Sequence, residues 1–488
     1  MLRSCTMHRV PSRAPLVALC MLVASTASGA SFAQTADPAP DTPRTMLPSE
    51  PPTSNAPASE SSPPAPEKEE NPYEQREPAP FGFGDFSWAP ANYGSGDRPL
   101  KAGPFVGEVR LDTAYHYSFN HPTDNTISGS SEVFRHNEFQ VTQIGFGGDF
   151  FYKNVQARLM TQFGMYSTTT PRNDASTGKG QWTLADAYRY ISEAYGGYHI
   201  NALAGINVQV GIFMSYVGLW SYYNFDNWTY QPSYVSSNTP WFFNGMRVQI
   251  FTSDKLKIEP WLVNGWQSYG KFEAAPGFGL QIRWNPTEYF SILGNQYYGT
   301  DTLGLAGRHR VHSDDSAMVR YYQKKGAIFS KAAASLTVDA GCEWGDGVDC
   351  GSQYFLGFMT YQRLWFVADH FGFTVGGGAI TNPGRYLVLL PPINGATAFS
   401  GTPYFTAGPG DGFKAWDLQV TGDYMPREFV TFRLEYNHRA ANVPYFSGPG
   451  GMTPSGGNQG APGSFVEGFA PDLVKVENRI TAAMMVKY

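Results

Sequence analysis

No run of eighteen apolar residues occurs anywhere in the 488-residue chain, which excludes a protein that crosses a membrane on helices. Charge is scarce. Asp, Glu, Lys and Arg together make up 16% of the residues, against roughly 25% in ordinary soluble domains. No Gly-x-Ser-x-Gly elbow, His-Glu-x-x-His pair or Walker loop appears. His438 has no serine to match it on the outward face of its strand, so neither an enzyme nor a bound cofactor is expected. Plentiful instead are aromatics, at 15%, with 53 glycines and 29 tyrosines. That mixture suits strands, turns and interfacial girdles rather than helical packing.

Arg3, Arg9 and Arg13, an apolar core from Leu16 to Ala27, and Ser31-Phe32-Ala33 before Gln34 read as a secretory signal over residues 1–33. Its removal leaves 32 basic against 41 acidic side chains, a net charge of −9 with no reason to expect a nucleic-acid partner. Residues 34–103 follow as a Pro-rich linker and an aromatic and Gly-rich segment. Nine acids and three bases lie between 34 and 80, in a composition that cannot bury a core. This leader is expected to be passive, with a peptidoglycan tether as the alternative. Phe81, Phe83, Phe86, Trp88 and Tyr93 leave two readings open: a segment entering a lumen, or an approach to the first strand.

Two interleaved lists run along the last strand. Val474, Val476, Ile480, Ala482, Met484, Val486 and Tyr488 share one parity, broken by Asn478; Lys475, Glu477, Arg479, Thr481, Ala483, Met485 and Lys487 share the other. Because side chains alternate along a strand, one face is apolar and one polar. The pattern fits a closed sheet in lipid, apolar outward and charged toward a wet lumen. Tyr488, Val486 and Met484 also form a terminal signal of the kind barrel-assembly machinery reads. The same parity recurs at Val109, Leu111 and Tyr115 against Glu108, Arg110 and Asp112, and at Val430, Phe432 and Leu434 against Arg433 and Glu435. From Tyr354 to Phe366 alternation is poor and the facing stays open.

Seven tight turns are expected, at 152–154, 201–205, 253–255, 285–287, 324–326, 368–370 and 425–427. Between them lie long loops at 120–135, 167–187, 214–242, 267–276, 300–314, 340–352, 381–414 and 441–471. Short turns at one rim and long loops at the other predict an all-β, up-and-down antiparallel transmembrane barrel over residues 104–488, with about sixteen strands. The count shifts by two if 214–242 hides a hairpin. A barrel of this size leaves an aqueous channel. Its expected lining is Arg110, Arg158, Arg247, Arg283, Arg433 and Arg479, with Glu108, Asp112, Asp417, Glu435, Lys475 and Glu477. Pairs between Arg433, Glu435, Glu477 and Arg479 are expected across strands.

Several words of the chain are familiar. Asn382-Pro383-Gly384-Arg385-Tyr386, Pro391-Pro392-Ile393-Asn394-Gly395, Asp423-Tyr424-Met425-Pro426, Asn437-His438-Arg439, Val443-Pro444-Tyr445-Phe446 and Glu193-Ala194-Tyr195 resemble the OmpL-like β-barrel porin family of proteobacterial outer membranes. The resemblance covers about residues 105–488. It implies an outer-membrane channel of a Gram-negative bacterium, surrounded by lipid and lipopolysaccharide, and it supplies no substrate-contact set. Passive diffusion of small hydrophilic solutes or ions is the expected function; a non-conducting adhesin or envelope tether is the alternative. A homotrimer is compatible with sixteen strands.

Three local features carry competing readings. Cys342 and Cys350 close a loop as a disulfide, or Asp339, Glu343, Asp346 and Asp349 around them hold calcium. His309 and His312, followed by Asp314 and Asp315, are either rim residues or metal ligands. The apolar run 386–390 before Pro391-Pro392 either packs on the rim or folds inward, with Arg385 and Tyr386 at a constriction.

Overall fold

The computed structural model describes residues 80–91, 100–130, 132–176, 179–273, 275–302, 304–386, 410, 412–457 and 467–488, without the side chains of Asn173 and Arg385. Residues 1–33, where a signal is expected, and most of the expected linker lie outside the described residues. Sixteen long strands form the wall: β1 Phe105–Ser118, β2 Glu138–Tyr152, β3 Val155–Thr161, β4 Ile191–Ile200, β5 Ile206–Met214, β6 Phe242–Phe251, β7 Leu256–Val263 and β8 Gly277–Thr287, then β9 Phe290–Gly299, β10 His309–Gln323, β11 Phe329–Trp344, β12 Tyr354–Phe366, β13 Phe371–Thr381, β14 Lys414–Arg427, β15 Val430–Ala441 and β16 Val476–Lys487. Each pairs antiparallel with its sequence neighbours. β16 closes on β1, from Arg479 opposite Ser118 to Lys487 opposite Arg110. Closure removes both sheet edges and satisfies the backbone of every strand, as hydrocarbon demands.

The parity reading holds along the strands. On β15, Phe432, Leu434 and Tyr436 are exposed on the outer wall, while Arg433, Glu435 and Asn437 are buried inside. Two turns shift from their expected places. β8 continues through Pro286 and β14 through Pro426, each with an irregular register nearby, so the chain reverses at 288–289 and 428–429. Proline lacks the N–H that a regular ladder needs, and it sits where the ladder is broken. At the turn after β2, Lys153 and Asn154 both adopt positive φ, 46° and 70°, the backbone that a two-residue hairpin requires.

β10 and β11 reach further than expected, to His309 and Trp344, which shortens the loops to 300–308 and 345–353. This overturns both metal readings. His309 faces outward, stacked on Trp344 at 5.5 Å, whereas His312 faces the lumen, its Nε2 2.7 Å from Asp339 Oδ1. Asp339 and Glu343 are likewise interior while Asp346 sits in the loop. Cys342 and Cys350 are joined as a disulfide.

Asp315 departs from the outward pattern. It is exposed on the outer face of β10, between the Tyr298–His309–Trp344 stack near one rim and Tyr321 toward the other. Ser313 donates to it at 2.8 Å and accepts from Gln296 at 2.7 Å.

Candidate functional site: the filled lumen

Loop 215–241 does not hide a hairpin. It leaves β5, folds into the barrel and returns to β6, its neck closed by Ser215 N–H donating to Trp241 O at 3.0 Å. Ser221 and Asn227 bond reciprocally, Ser221 N to Asn227 Oδ1 at 2.8 Å and Asn227 Nδ2 to Ser221 O at 2.7 Å. They hold a tight subloop around the 3₁₀ turn Asn224–Asp226. Beyond Pro232 comes a single helical turn, Tyr234–Ser237. Trp228, Tyr230, Tyr234 and Val235 are at most 1% exposed.

An irregular backbone buried inside the barrel needs a partner for each N–H and C=O. The wall charges supply them. Glu435 accepts from the backbone N–H groups of Tyr230 and Gln231 at 2.6 and 3.0 Å, and Asp417 accepts from Tyr234 N–H at 2.8 Å. In the other direction Arg363 donates to Trp228 O at 3.2 Å, and Arg433 to Asn224 O and Asn227 O at 3.2 and 2.7 Å. Asp423, itself buried, ties Arg363 and Arg433 together at 2.7 Å each. Asp226 of the insert meets Arg110 and Lys487, both at 2.9 Å. Arg479 donates to the Gln231 side chain and Arg439 to Pro232 O. On β13, Gly378 leaves room for the insert: a Cβ there would lie 2.6 Å from Ser233 Oγ.

A second element enters from the short-turn rim. Phe81 N–H donates to Asp254 O at 3.0 Å in the β6–β7 turn, which pins the start of residues 80–91. Trp88 is fully buried, its Nε1 donating to Glu288 O at 3.0 Å, and Trp228 Nε1 of the insert donates to Trp88 O at 3.1 Å. Ala91 N–H reaches Asp226 O at 2.9 Å. Of the two readings of this aromatic segment, the lumen-entering one describes it. Strap and insert meet inside the barrel.

Eleven of the twelve expected lining residues sit on the lumen side, but most are buried there. Arg479 is fully buried and Glu435 is 1% exposed. Lys475 is the exception, exposed at a bend before β16 begins. The expected cross-strand pairs are also replaced. Register sets Arg433 opposite Ala483 and Glu435 opposite Thr481, so Arg433 turns to Asp423 and Arg479 to Glu477 of its own strand at 2.8 Å. Arg158 bridges Glu108, Asp149 and Glu193 at 3.0–3.1 Å. Tyr386 is fully buried inside the long-loop end, its OH 2.8 Å from His312 Nδ1 and its carbonyl accepting from Arg310 at 2.9 Å. Rim packing therefore does not describe Tyr386; the rest of the apolar run and residues 391–395 lie outside the described residues.

Sequence reasoning missed Arg363, Asp226 and Tyr230 as site residues and left Trp88 between two readings. One signal was present. β12 alternates poorly because its inward Phe355, Met359, Tyr361 and Trp365 pack on the insert and strap instead of facing water. Among the described residues, space remains beside these elements. One cavity, of about 210 Å³, lies between the insert and the wall, lined by Tyr216, Trp220, Trp241, Gln281, Arg283 and Leu293 among others. A second, of about 340 Å³, opens near the short turns beside Ser87, Trp365 and His370.

Residues 108–461 match the family model described as "Putative beta-barrel porin-2, OmpL-like". No curated protein matches the chain. Similar solved structures include the outer membrane channel DcaP of Acinetobacter baumannii (11% identity, TM-score 0.45, covering 79% of this chain and 97% of that one). An anion-selective porin from Comamonas acidovorans matches at 8% identity and TM-score 0.46, with 79% and 99% covered. The trimer form of OmpT from Vibrio cholerae matches at 9% identity and TM-score 0.41, also with 79% and 99% covered. With the family model spanning most of its length, this chain belongs to the OmpL-like beta-barrel porin-2 family, porin-like channel proteins of the Gram-negative outer membrane.

Proposed function

We propose that this protein is a passive diffusion channel for small hydrophilic solutes, with a bias toward anions, whose bore is narrowed by insert 215–241 and strap 80–91. The observation that carries the reading is the wall β6–β8. There Arg247, Lys257 and Arg283 are served by one carboxylate, Glu259, which lies 2.6 Å from Lys257. Elsewhere in the lumen most cations have a carboxylate of their own. Of these three cations Arg283 lines the space left beside the insert, and rows of one sign bias the ions that pass. No catalytic chemistry is assigned.

In planar bilayers with a KCl gradient, the full-length protein should show a reversal potential on the anion side. Arg247→Gln combined with Arg283→Gln should move it toward cations. An unchanged reversal potential in the double variant rejects the selectivity; no channel events at all, with the strap present or deleted, rejects the channel. The second reading, a non-conducting envelope barrel that works through its long loops, draws support from how fully insert and strap occupy the interior.

Self-association as a homotrimer belongs to the same proposal, with Asp315 at the contact. A carboxylate facing acyl chains in mid-strand is costly, and Gly294 beside it allows close approach of a second copy. Asp315→Leu is expected to convert the cross-linked oligomer to monomer in detergent; unchanged cross-linking would mean that this face meets lipid.

A further inference from the structure

The 210 Å³ space between the insert and β6–β9 has an uneven supply of polar groups. Its hydroxyl and amide groups are largely engaged with the protein. Tyr216 OH donates to Gln296 O at 2.9 Å, and Tyr222 OH to Gln162 Oε1 at 2.7 Å. Gln281 donates to Tyr216 O and Asn295, and accepts from Lys257. Ser221 accepts from Tyr223 N–H, and Thr239 donates to Ser236 O. Two donors that line it lack an acceptor, Arg283 Nε on the wall and Trp220 Nε1 on the insert.

Arg283 stands apart from the other lumen cations. Among the described residues no carboxylate lies within 4 Å of it and it makes no hydrogen bond. The Phe81 ring of the strap lies 5.5 Å from its guanidinium carbon, and a second cation, Lys257, stands opposite it in the β7–β8 register. Glu259, on the adjacent strand, is engaged by Lys257 and lies in the field of Arg247. Glu132 also lines the cavity, but it lies in the fields of Arg439 and Arg479. A partly buried guanidinium without a counter-charge favours an anion beside it. The walls around it are aromatic: Tyr216, Trp220, Tyr222 and Trp241.

We infer that this cavity is a binding site for a small aromatic monocarboxylate, its carboxylate on Arg283 and Trp220 Nε1 and its ring among the surrounding aromatics. The match is chemical. The unpaired donors of Arg283 and Trp220 call for an acceptor at the head of the ligand, and ring faces call for a flat apolar body. The inference deepens the channel reading by naming a solute class for the same lumen, but binding is measured without requiring conductance.

The test is calorimetric titration of the detergent-solubilised full-length protein with benzoate, with benzyl alcohol and acetate as the two halves of the ligand and inorganic phosphate as a small anion without a ring. Benzoate should bind at least tenfold more tightly than any of the three. Arg283→Gln should weaken it about ten- to a hundredfold, the range for losing a charged hydrogen-bonding partner. Trp220→Phe, which keeps a ring and removes the N–H, should weaken it severalfold. Heat-modifiable migration of each variant checks that its barrel is folded. Benzoate binding no better than acetate or benzyl alcohol, or equal affinity in folded Arg283→Gln, overturns the site. If benzoate binds as expected while bilayers show no channel events, the channel reading fails and the site stands.

Discussion

Asp423→Ala is expected to release the insert and to raise single-channel conductance severalfold. Asp423 is buried on β14 and holds two arginines at once, Arg363 and Arg433, each at 2.7 Å. Those arginines in turn donate to three backbone carbonyls of the insert, at Trp228, Asn224 and Asn227. Removing one member of a buried ion-pair network leaves uncompensated charge and costs about 3–5 kcal/mol. The sixteen-stranded ladder itself is untouched, so the cost falls on the insert's attachment. Two guanidinium groups that repel each other would then turn toward water and let it into the bore. Paired measurements decide the matter: conductance in bilayers, and proteolysis within 215–241. Conductance and protection both equal to wild type would show that Asp423 does not hold the insert. Neutralising Arg433 and Arg479 should act through the same release, not through a direct change of the field in an open pore.

Deleting residues 80–91 should have the next largest effect, opening the short-turn end of the lumen. Trp88 is fully buried between Glu288 O and Trp228 Nε1, and truncating a buried tryptophan to alanine costs about 3–5 kcal/mol. Trp88→Ala is therefore the milder version of the deletion. It should increase the frequency of openings, whereas the deletion should make the open state persistent. The strap also covers Arg283 and Arg320 through the Phe81 and Trp88 rings, 5.5 and 5.8 Å from their guanidinium carbons. Its loss should add to the anion bias. Identical openings in wild type, Trp88→Ala and the deletion would mean that the strap does not obstruct the route. Additivity with Asp423→Ala is not expected, because Trp228 joins the two elements and contacting sites couple.

How the interior is used separates residues that look alike along the chain. Arg433 and Arg283 are both inward-facing arginines by parity. One is 3% exposed and bound to Asp423 and to two carbonyls of the insert. The other lines a cavity and, among the described residues, forms no ion pair. The difference arises from residues far off in sequence, at 215–241 and 80–91, whose approach no strand pattern encodes. Tyr361 makes the same point. Its place on β12 looked like a lapse in alternation, yet its OH accepts from Ser233 N–H at 2.8 Å and donates to Gln419 at 2.7 Å.

By itself the sequence determined the barrel: a count of about sixteen strands, the segregation of short turns from long loops and the faces of most strands, whereas the structure settled the exact count and the pairing of Cys342 with Cys350. The first three follow from nearest-neighbour rules, since a period of two and a turn signal are local properties that lipid enforces one strand at a time. Only the tertiary structure decided what fills the cylinder. A loop of aromatics and small polar residues has no period to read, and its course is set by partners brought together only when the sheet closes: carboxylates for its N–H groups, arginines for its carbonyls, and a tryptophan from the strap.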